Sequence, residues 1–232
     1  MFFKKKIPPY PFKEYPIMQQ PSLVPTFGQQ AQIDRKFGMF LHFGINTFNN
    51  TEWSDGKLPI ESYQPTAIDA ENWVKTAYEA GMNYVIIITK HHDGFCLWNT
   101  HTTTYSVNYS PNKTDVVKAV ADACQKYGIK LGLYYSLWDR HEKCYKNDEL
   151  YVQYMEKHLK ELMDGRYGEI VELWFDGAWD KPCRAWQLDR LYSLVKTMQP
   201  MCQIGVNHTV GKYSEKKGFP KKRYEPKNYR DR

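Results

Sequence analysis

Polar side chains capable of acid–base and nucleophilic chemistry stand directly after four largely apolar segments of the sequence. They are His42, residues 90–93 (KHHD), residues 134–139 (YYSLWD) and Asp176. In a parallel αβ array, functional side chains gather at the carboxyl ends of strands, where rigid elements give way to variable loops. A single residue of this kind is more typical of capping or packing. Four sets at equivalent places predict one site at this edge of a sheet.

Asp176 is the best-placed carboxylate of the set. It follows residues 171–175 (VELWF) and precedes Gly177, which would let a ligand approach the backbone closely. Alternation along a strand puts Trp174 on the same side, so that an indole would wall the pocket beside the carboxylate. The competing interpretation is an Asp that caps the next helix or turn.

The adjacent pair His91 and His92 raises the question of a metal site completed by a carboxylate such as Asp93 or Asp176. Neighbours on an extended strand point to opposite faces, and neither the HxH nor the HExxH spacing is present. We therefore favour histidines that hydrogen-bond a polyhydroxylated ligand, and we predict no metal and no other cofactor. A metal-dependent barrel hydrolase remains an alternative.

Strand and helix patterns alternate along the chain and indicate the α/β class. Strands are predicted at residues 37–43, 84–89, 130–137, 170–175 and 203–206, and helices at 69–80, 115–127, 149–163 and 185–198. Such alternation implies a parallel sheet, either an open doubly wound sheet or a closed barrel. No glycine-rich phosphate loop follows the first strand, which disfavours the nucleotide-binding open sheet. A barrel needs eight strands, whereas about five are visible.

Composition predicts one core and no nucleic-acid partner. The 232 residues are 42% hydrophobic and 16% aromatic, enough for one sizeable core. Much of the net charge of +6 comes from residues 4–6 and 212–232, and no basic run is interleaved with stacking aromatics. The five cysteines are scattered, odd in number and free of CxxC pairs, which argues against a disulfide scaffold or a zinc site.

The first residues (MFFKKKIPPYPF) contain no apolar run long enough for a signal peptide or a membrane anchor. We expect no membrane association, and the compartment and oligomeric state stay open. A mature secreted or periplasmic form is compatible with this start.

Five ordered blocks of the sequence resemble a known family. They are FGMFLHFGINTF, EWSDG, GMNYVIIITKHHDGFCLW, KYGIKLGLYYSLWDRHE and ELWFDGAW. These blocks look like the consecutive motifs of α-L-fucosidases in glycoside hydrolase family 29, and the likeness covers about residues 37–179. The WDRHE ending is similar to the subgroup that prefers fucose linked to GlcNAc in branched glycans.

The resemblance implies a (β/α)8-like, TIM-type barrel, here incomplete with about five βα units. It divides the chain into an N-terminal extension (1–36), a partial catalytic barrel (37–207) and a polar basic tail or interrupted barrel segment (208–232). It also implies hydrolysis of terminal α-L-fucose with retention of configuration, with a fucosylated glycan or a small fucoside as substrate. Asp176 would be the nucleophile that forms a fucosyl-enzyme intermediate. The residues that would bind the sugar are His42, Glu52, Trp53, His91, His92, Tyr134, Trp174 and, as a wall, Trp98.

A retaining mechanism also requires a second carboxyl about 5–5.5 Å from the first, acting as acid and then as base. The carboxylates beyond Trp179 are Asp180, Asp189, Glu215, Glu225 and Asp231. Asp189 falls inside a predicted helix, and Glu215 and Glu225 lie in Lys-rich, unpatterned sequence. We therefore expect the acid/base to be missing from this chain and the chain to be a weak or inactive catalyst. A non-catalytic fucose-binding protein is the alternative.

Overall fold

A computed structural model of the chain describes residues 24–207, and its elements alternate as the sequence predicts. The strands are β1 (Gly38–Leu41), β2 (Tyr84–Lys90), β3 (Lys130–Ser136), β4 (Ile170–Asp176) and β5 (Gln203–Val206). The α-helices are α1 (Phe27–Arg35), α2 (Ala70–Glu79), α3 (Val116–Tyr127), α4 (Asp148–Met163), α5 (Cys183–Trp186) and α6 (Leu188–Met198). Short 3-10 turns occur at Ile45–Asn49, Ile60–Ser62, Val107–Tyr109, Lys143–Lys146 and Ala178–Asp180.

The five strands form one parallel sheet whose spatial order equals the chain order, β1-β2-β3-β4-β5. Each crossover therefore moves to the next neighbour in the same direction, as in an arc of a barrel. A doubly wound sheet would reverse direction at a switch point. The α/β class is confirmed, with five parallel strands and helices after each of the first four, and the arrangement is that of a partial barrel.

The two faces of the sheet carry different side chains because alternate residues point to opposite sides. The face that packs against the helices, called the outer face, contributes Leu131, Leu133 and Tyr135 of β3 to the main core. The opposite, inner face carries a second small cluster of Ile86, Ile88 and Tyr134. The main core thus lies between the sheet and its helices, as in the wall of a barrel.

Helix boundaries follow the capping residues that the sequence indicates. Asp69 and Asp115 accept hydrogen bonds from the backbone N–H of Asn72 and Lys118, at the starts of α2 and α3. Gly128 ends α3 in the left-handed conformation, with φ of 68°. The prediction of a single helix over 185–198 is wrong, because Gln187 has φ of 47° and separates α5 from α6. The Gln187 amide donates to Glu149, which holds the break in place.

Helix α1 is the main element that the sequence did not predict. It begins with a capping box between Thr26 and Gln29. Its Gly28 lies so close to β5 that a Cβ there would come 2.1 Å from Gln203, and Arg35 stands over the Tyr84 ring. Because Tyr84 and Gln203 begin their strands, α1 covers the inner face at the amino ends of the sheet. Residues 1–23 of the predicted extension 1–36, and all of 208–232, lie outside the described residues.

Strand β1 is less buried than predicted. The pattern of residues 37–43 indicated a strand covered on both faces, but Phe40 is 41% exposed and the remaining residues of β1 are half-buried. The reason is that β1 is an edge strand and the inner face beside it is open. Within residues 24–207, no helix is long and apolar enough to cross a membrane.

Candidate active site

Asp176 is the centre of a polar cluster at the carboxyl ends of the strands. Its Oδ2 accepts a 2.6 Å hydrogen bond from the Tyr134 hydroxyl of β3, and its Oδ1 accepts a 2.9 Å bond from the Asn207 amide, just after β5. The Asp176 side chain is 15% exposed. Charge-assisted hydrogen bonds of this kind stabilise a carboxylate anion, so Asp176 is held in one orientation and still reached from the cleft.

Three histidines line the cleft beside this carboxylate. His42 follows β1 and lies edge-on to His91, with ring centroids 4.9 Å apart, and His91 lies 4.2 Å from His92. Burial, followed by the neighbouring His92 and His42, lowers the pKa of His91 to about 3. Burial, followed by Lys90 and Arg140, lowers the pKa of His92 to about 4. Both rings are therefore neutral near pH 7 and can hydrogen-bond without carrying charge.

The contacts of His91 and His92 do not resemble a metal centre. His92 Nδ1 is hydrogen-bonded to Ser136 Oγ at 2.6 Å, and His91 Nδ1 lies 3.9 Å from Asp93 Oδ2. Asp93 is buried and accepts hydrogen bonds from Asn46 Nδ2 and the Phe95 backbone. Among residues 24–207, no three His, Cys, Asp or Glu side chains are grouped to hold an ion.

Three tryptophans surround His92 on the solvent side. The ring centroids of Trp53, Trp138 and Trp179 lie 5.3, 5.1 and 5.7 Å from that of His92. The sequence analysis assigned sugar binding to Trp53, included Trp138 only within the strand-end set 134–139, and did not identify Trp179, because no periodicity defines the path of its loop. Their positions inside the WDRHE and FDGAW blocks were the one signal that could have found them.

The loop after β1 and the loop after β3 are hydrogen-bonded to each other beneath these tryptophans. Arg140 donates to the Ser54 carbonyl, and His141 Nδ1 lies 2.6 Å from the Gly56 carbonyl. The Asp139 carboxylate accepts from the backbone N–H of His141 and forms a 2.8 Å ion pair with Lys90, both side chains being fully buried. The loops after β1 and β3 are therefore fixed from below by the end of β2.

Trp174 and Phe40 form an apolar wall on the inner face. Trp174 is 36% exposed and meets Phe40 edge-on, with ring centroids 5.4 Å apart, and Phe40 meets Tyr134 at 5.8 Å. Trp174 and Asp176 lie on the same side of β4, as alternation predicts. The wall and the carboxylate thus face the same cleft.

Two sequence-predicted residues stand apart from this cluster. Trp98 is fully buried, and its indole donates to Glu161 of α4 and packs edge-on against His158 within the main core. Glu52 is exposed in the loop beside Trp53, and its carbonyl accepts from Asn46. Gly177 has φ of 76°, and a Cβ there would lie 2.7 Å from Trp138 Cβ and 3.3 Å from His92 Cε1, so a side chain at this position would collide with Trp138.

Fold and site together place the chain in the class of (β/α)-barrel catalytic domains, with strands in chain order and polar residues at their carboxyl ends. The family model described as alpha-L-fucosidase matches residues 25–231. The chain belongs to this α-L-fucosidase family, glycoside hydrolase family 29.

Named relatives agree with this assignment. Alpha-L-fucosidase 1 of Arabidopsis thaliana is 39% identical over 201 residues, which cover 84% of this chain and 38% of that protein. The structure of a glycoside hydrolase 29 family member from an unknown rumen bacterium matches with a TM-score of 0.74 at 36% identity, covering 81% of this chain and 37% of that one. The α-L-fucosidase AlfC from Lactobacillus casei, in complex with its α-L-fucose product, matches with a TM-score of 0.64 at 26% identity, covering 74% and 66% of the two chains. The chain thus spans well under half of the first two relatives.

Proposed function

We propose that this chain carries the nucleophile and the sugar-binding side of a retaining exo-α-L-fucosidase, with Asp176 as the nucleophile. The observation that carries the proposal is the hydrogen-bonded but accessible Asp176 carboxylate at the carboxyl edge of the sheet in a member of the α-L-fucosidase family. The substrate is a terminal α-L-fucosyl group on a glycan or a small fucoside. Residues 37–207 supply part of the barrel, flanked by 1–36 and 208–232.

The cleft suits a sugar that has hydroxyls on one edge and a methyl group on another. The rings of His42, His91 and His92 hydrogen-bond the hydroxyls, while Trp174 and Trp53 pack on apolar C–H surface. Glu52 reaches the sugar from the exposed loop beside Trp53. The fully buried Trp98 acts through packing and not as a wall of the site.

The reaction proceeds in two displacements at the anomeric carbon. One carboxylate oxygen of Asp176 bonds to this carbon while the bond between the carbon and the leaving-group oxygen breaks. The leaving-group oxygen takes a proton from solvent water and departs as the alcohol, which leaves a fucosyl ester of Asp176. Water then attacks the same carbon, gives a proton to the solvent, and releases fucose and the Asp176 carboxylate. Two inversions give net retention of configuration.

We further propose that no carboxylate of residues 24–207 beyond Trp179 serves as acid and base. Asp180 accepts a 2.6 Å hydrogen bond from the Tyr145 hydroxyl, and Asp189 lies exposed on α6 in the helix layer. Burial raises the pKa of Asp93 to about 6, in the range of a general acid, but both of its oxygens are engaged and it is 2% exposed. Within residues 24–207, the protonation of a natural leaving group therefore has no carboxylate beyond Trp179 to carry it out.

The test uses an aryl α-L-fucoside, whose good leaving group needs little acid assistance. We expect the chain to release the aryl alcohol, Asp176→Ala to lose this release, and added azide to restore it as β-L-fucosyl azide. Asp122→Ala, an exposed carboxylate of α3 paired with Lys118, is the matched control and should behave as the native chain. Azide attack on the emptied site inverts the anomeric centre once, so an α-configured azide product would contradict the retaining mechanism. Equal release by the native chain and Asp176→Ala would contradict the role of Asp176.

A further inference from the structure

A short, buried chain of hydrogen bonds connects His92, Ser136 and the Trp138 carbonyl beside Asp176. His92 Nδ1 lies 2.6 Å from Ser136 Oγ, and Ser136 Oγ lies 2.6 Å from the Trp138 carbonyl oxygen. Ser136 is fully buried, and the sheet register pairs it with Asp176 across β3 and β4. The hydroxyl of Ser136 therefore contacts His92 without reaching the cleft.

The rules of hydrogen bonding determine which atom carries the proton between Ser136 and His92. A carbonyl oxygen can only accept, and a serine hydroxyl has one proton to donate. Ser136 donates that proton to the Trp138 carbonyl, so its oxygen must accept from His92. Nδ1 of His92 therefore carries the hydrogen, and Nε2 of the neutral ring carries none. The opposite tautomer would leave two acceptors 2.6 Å apart with no proton between them.

The bare Nε2 faces the reactive carboxylate. It lies 3.6 Å from Asp176 Oδ2, which already accepts from the Tyr134 hydroxyl. Two acceptors at this separation do not bond each other, but a hydroxyl placed against Nε2 would satisfy it. Trp138 also packs against the His92 ring, with the ring centroids 5.1 Å apart.

We propose that Ser136 is a positioning residue that holds His92 as the Nδ1-protonated tautomer, so that its bare Nε2 accepts a hydrogen bond from a ligand hydroxyl beside Asp176. The tautomer follows from the contacts within the protein alone. The identity of the donor as a fucose hydroxyl rests on the proposed function.

The tautomer is tested by long-range ¹H–¹⁵N NMR of the whole chain labelled in histidine, with the His92 signals assigned by their loss in His92→Gln. We expect a protonated Nδ1 and a bare Nε2 in the native chain. Ser136→Ala should lose this preference, and Ser136→Thr, which keeps the hydroxyl, should restore it. Ser106→Ala is the control, since Ser106 is equally buried and its hydroxyl has no partner among the described residues. A native His92 protonated on Nε2, or a tautomer that Ser136→Ala leaves unchanged, would overturn the proposal.

Calorimetric titration with L-fucose tests separately whether a fucose hydroxyl is the donor to His92 Nε2. Ser136→Ala should weaken fucose binding about tenfold, the value of one ordinary hydrogen bond, with Ser136→Thr and Ser106→Ala close to the native chain. If the His92 tautomer shifts in Ser136→Ala but the fucose affinity stays unchanged, the claim that a fucose hydroxyl donates to His92 Nε2 is overturned. If the native chain has the expected tautomer but does not bind fucose, the role of Ser136 in positioning His92 is established. The same result would overturn both fucose as the hydrogen-bond donor and the proposed function.

Discussion

The two faces of the sheet differ in how completely they are covered. On the outer face, Leu133 and Leu173 are fully buried under the helices, whereas on the inner face Phe40 and Trp174 keep 41% and 36% of their surface exposed. The outer face therefore supplies the stability that burial of apolar surface gives, and the inner face carries the proposed sugar-binding surface. Substitutions on the two faces should separate folding from ligand binding.

Leu133→Ala, which truncates a side chain of the outer face, should strongly lower the free energy of unfolding. Deletion of a fully buried leucine side chain destabilises a core by about 2–5 kcal/mol because a cavity remains. Trp174→Ala on the inner face should cost less stability and instead weaken fucose binding. Urea unfolding and fucose titration of both variants check this, and a larger loss of stability in Trp174→Ala would reverse the assignment of the two faces.

Lys90→Met tests the buried ion pair between the end of β2 and the loop after β3. The substitution leaves Asp139 buried without its cation, and breaking such a pair typically costs about 3–5 kcal/mol. The double variant Lys90→Met/Asp139→Asn should recover part of the loss in the same unfolding measurement. Lys118→Met, which removes an exposed pair with Asp122, is the matched control and should match the native chain. A Lys90→Met chain as stable as that control would show that the pair does not hold the loops.

Histidines on both faces should make stability fall on acidification. The pKa values of His91 and His92 at the site lie at about 3 and 4, and burial lowers the pKa of His158 in the main core well below its usual value. The unfolded chain binds protons on these rings below about pH 6.5 while the folded chain does not, so each ring contributes a slope of about 1.4 kcal/mol per pH unit from there down to its folded pKa. Asp93, whose pKa is raised to about 6, acts in the opposite direction between about pH 6 and 4.

Histidine replacements isolate these contributions. His158→Gln and His92→Gln should each flatten the dependence of the unfolding free energy on pH between about 6.5 and 4, by the slope of one proton. Unfolding curves recorded at several pH values measure this. A slope unchanged in both variants would mean that the rings are not kept neutral by burial.

The smallest effect is expected at the amino end of the inner face. Thr26→Ala removes the cap of α1 and should lower the free energy of unfolding by about 1 kcal/mol. Thr114→Ala, whose hydroxyl lies outside any helix cap, serves as the comparison. Fucose affinity should stay unchanged, since α1 lies at the end of the strands opposite to the site. Weaker fucose binding in Thr26→Ala would show that α1 reaches the cleft.

Local signals in the sequence were enough for the repeating part of the fold. Asp69, Asp115 and Gly128 cap their helices as their residue types require, and the apolar runs of β2 to β5 became strands. The break at Gln187 could not be predicted, because it depends on a hydrogen bond to Glu149, distant in sequence. Helix α1 was missed because its packing depends on the close approach of Gly28 to Gln203 on a far strand.

The sequence predicted the site residues that stand at strand ends. It did not predict those whose positions depend on the paths of loops. Asp176, Tyr134 and His92 meet because their strands are neighbours in the sheet. Asn207 was noticeable in the sequence only as an asparagine after the last strand, yet its amide binds Asp176. Trp98 was expected at the pocket but is buried in the main core, since alternation breaks down in the loop after β2. Contacts between loops, such as Arg140 with Ser54, have no local sequence pattern.

Covalent trapping tests directly whether Asp176 is the nucleophile. An α-L-fucosyl fluoride with fluorine in place of its 2-hydroxyl loses fluoride without acid assistance and gives an ester that water cleaves slowly. Mass spectrometry should find one fluorofucosyl group on the peptide containing Asp176, and none in Asp176→Ala. A label on another residue, or no label on a chain that binds fucose, would contradict Asp176 as the nucleophile.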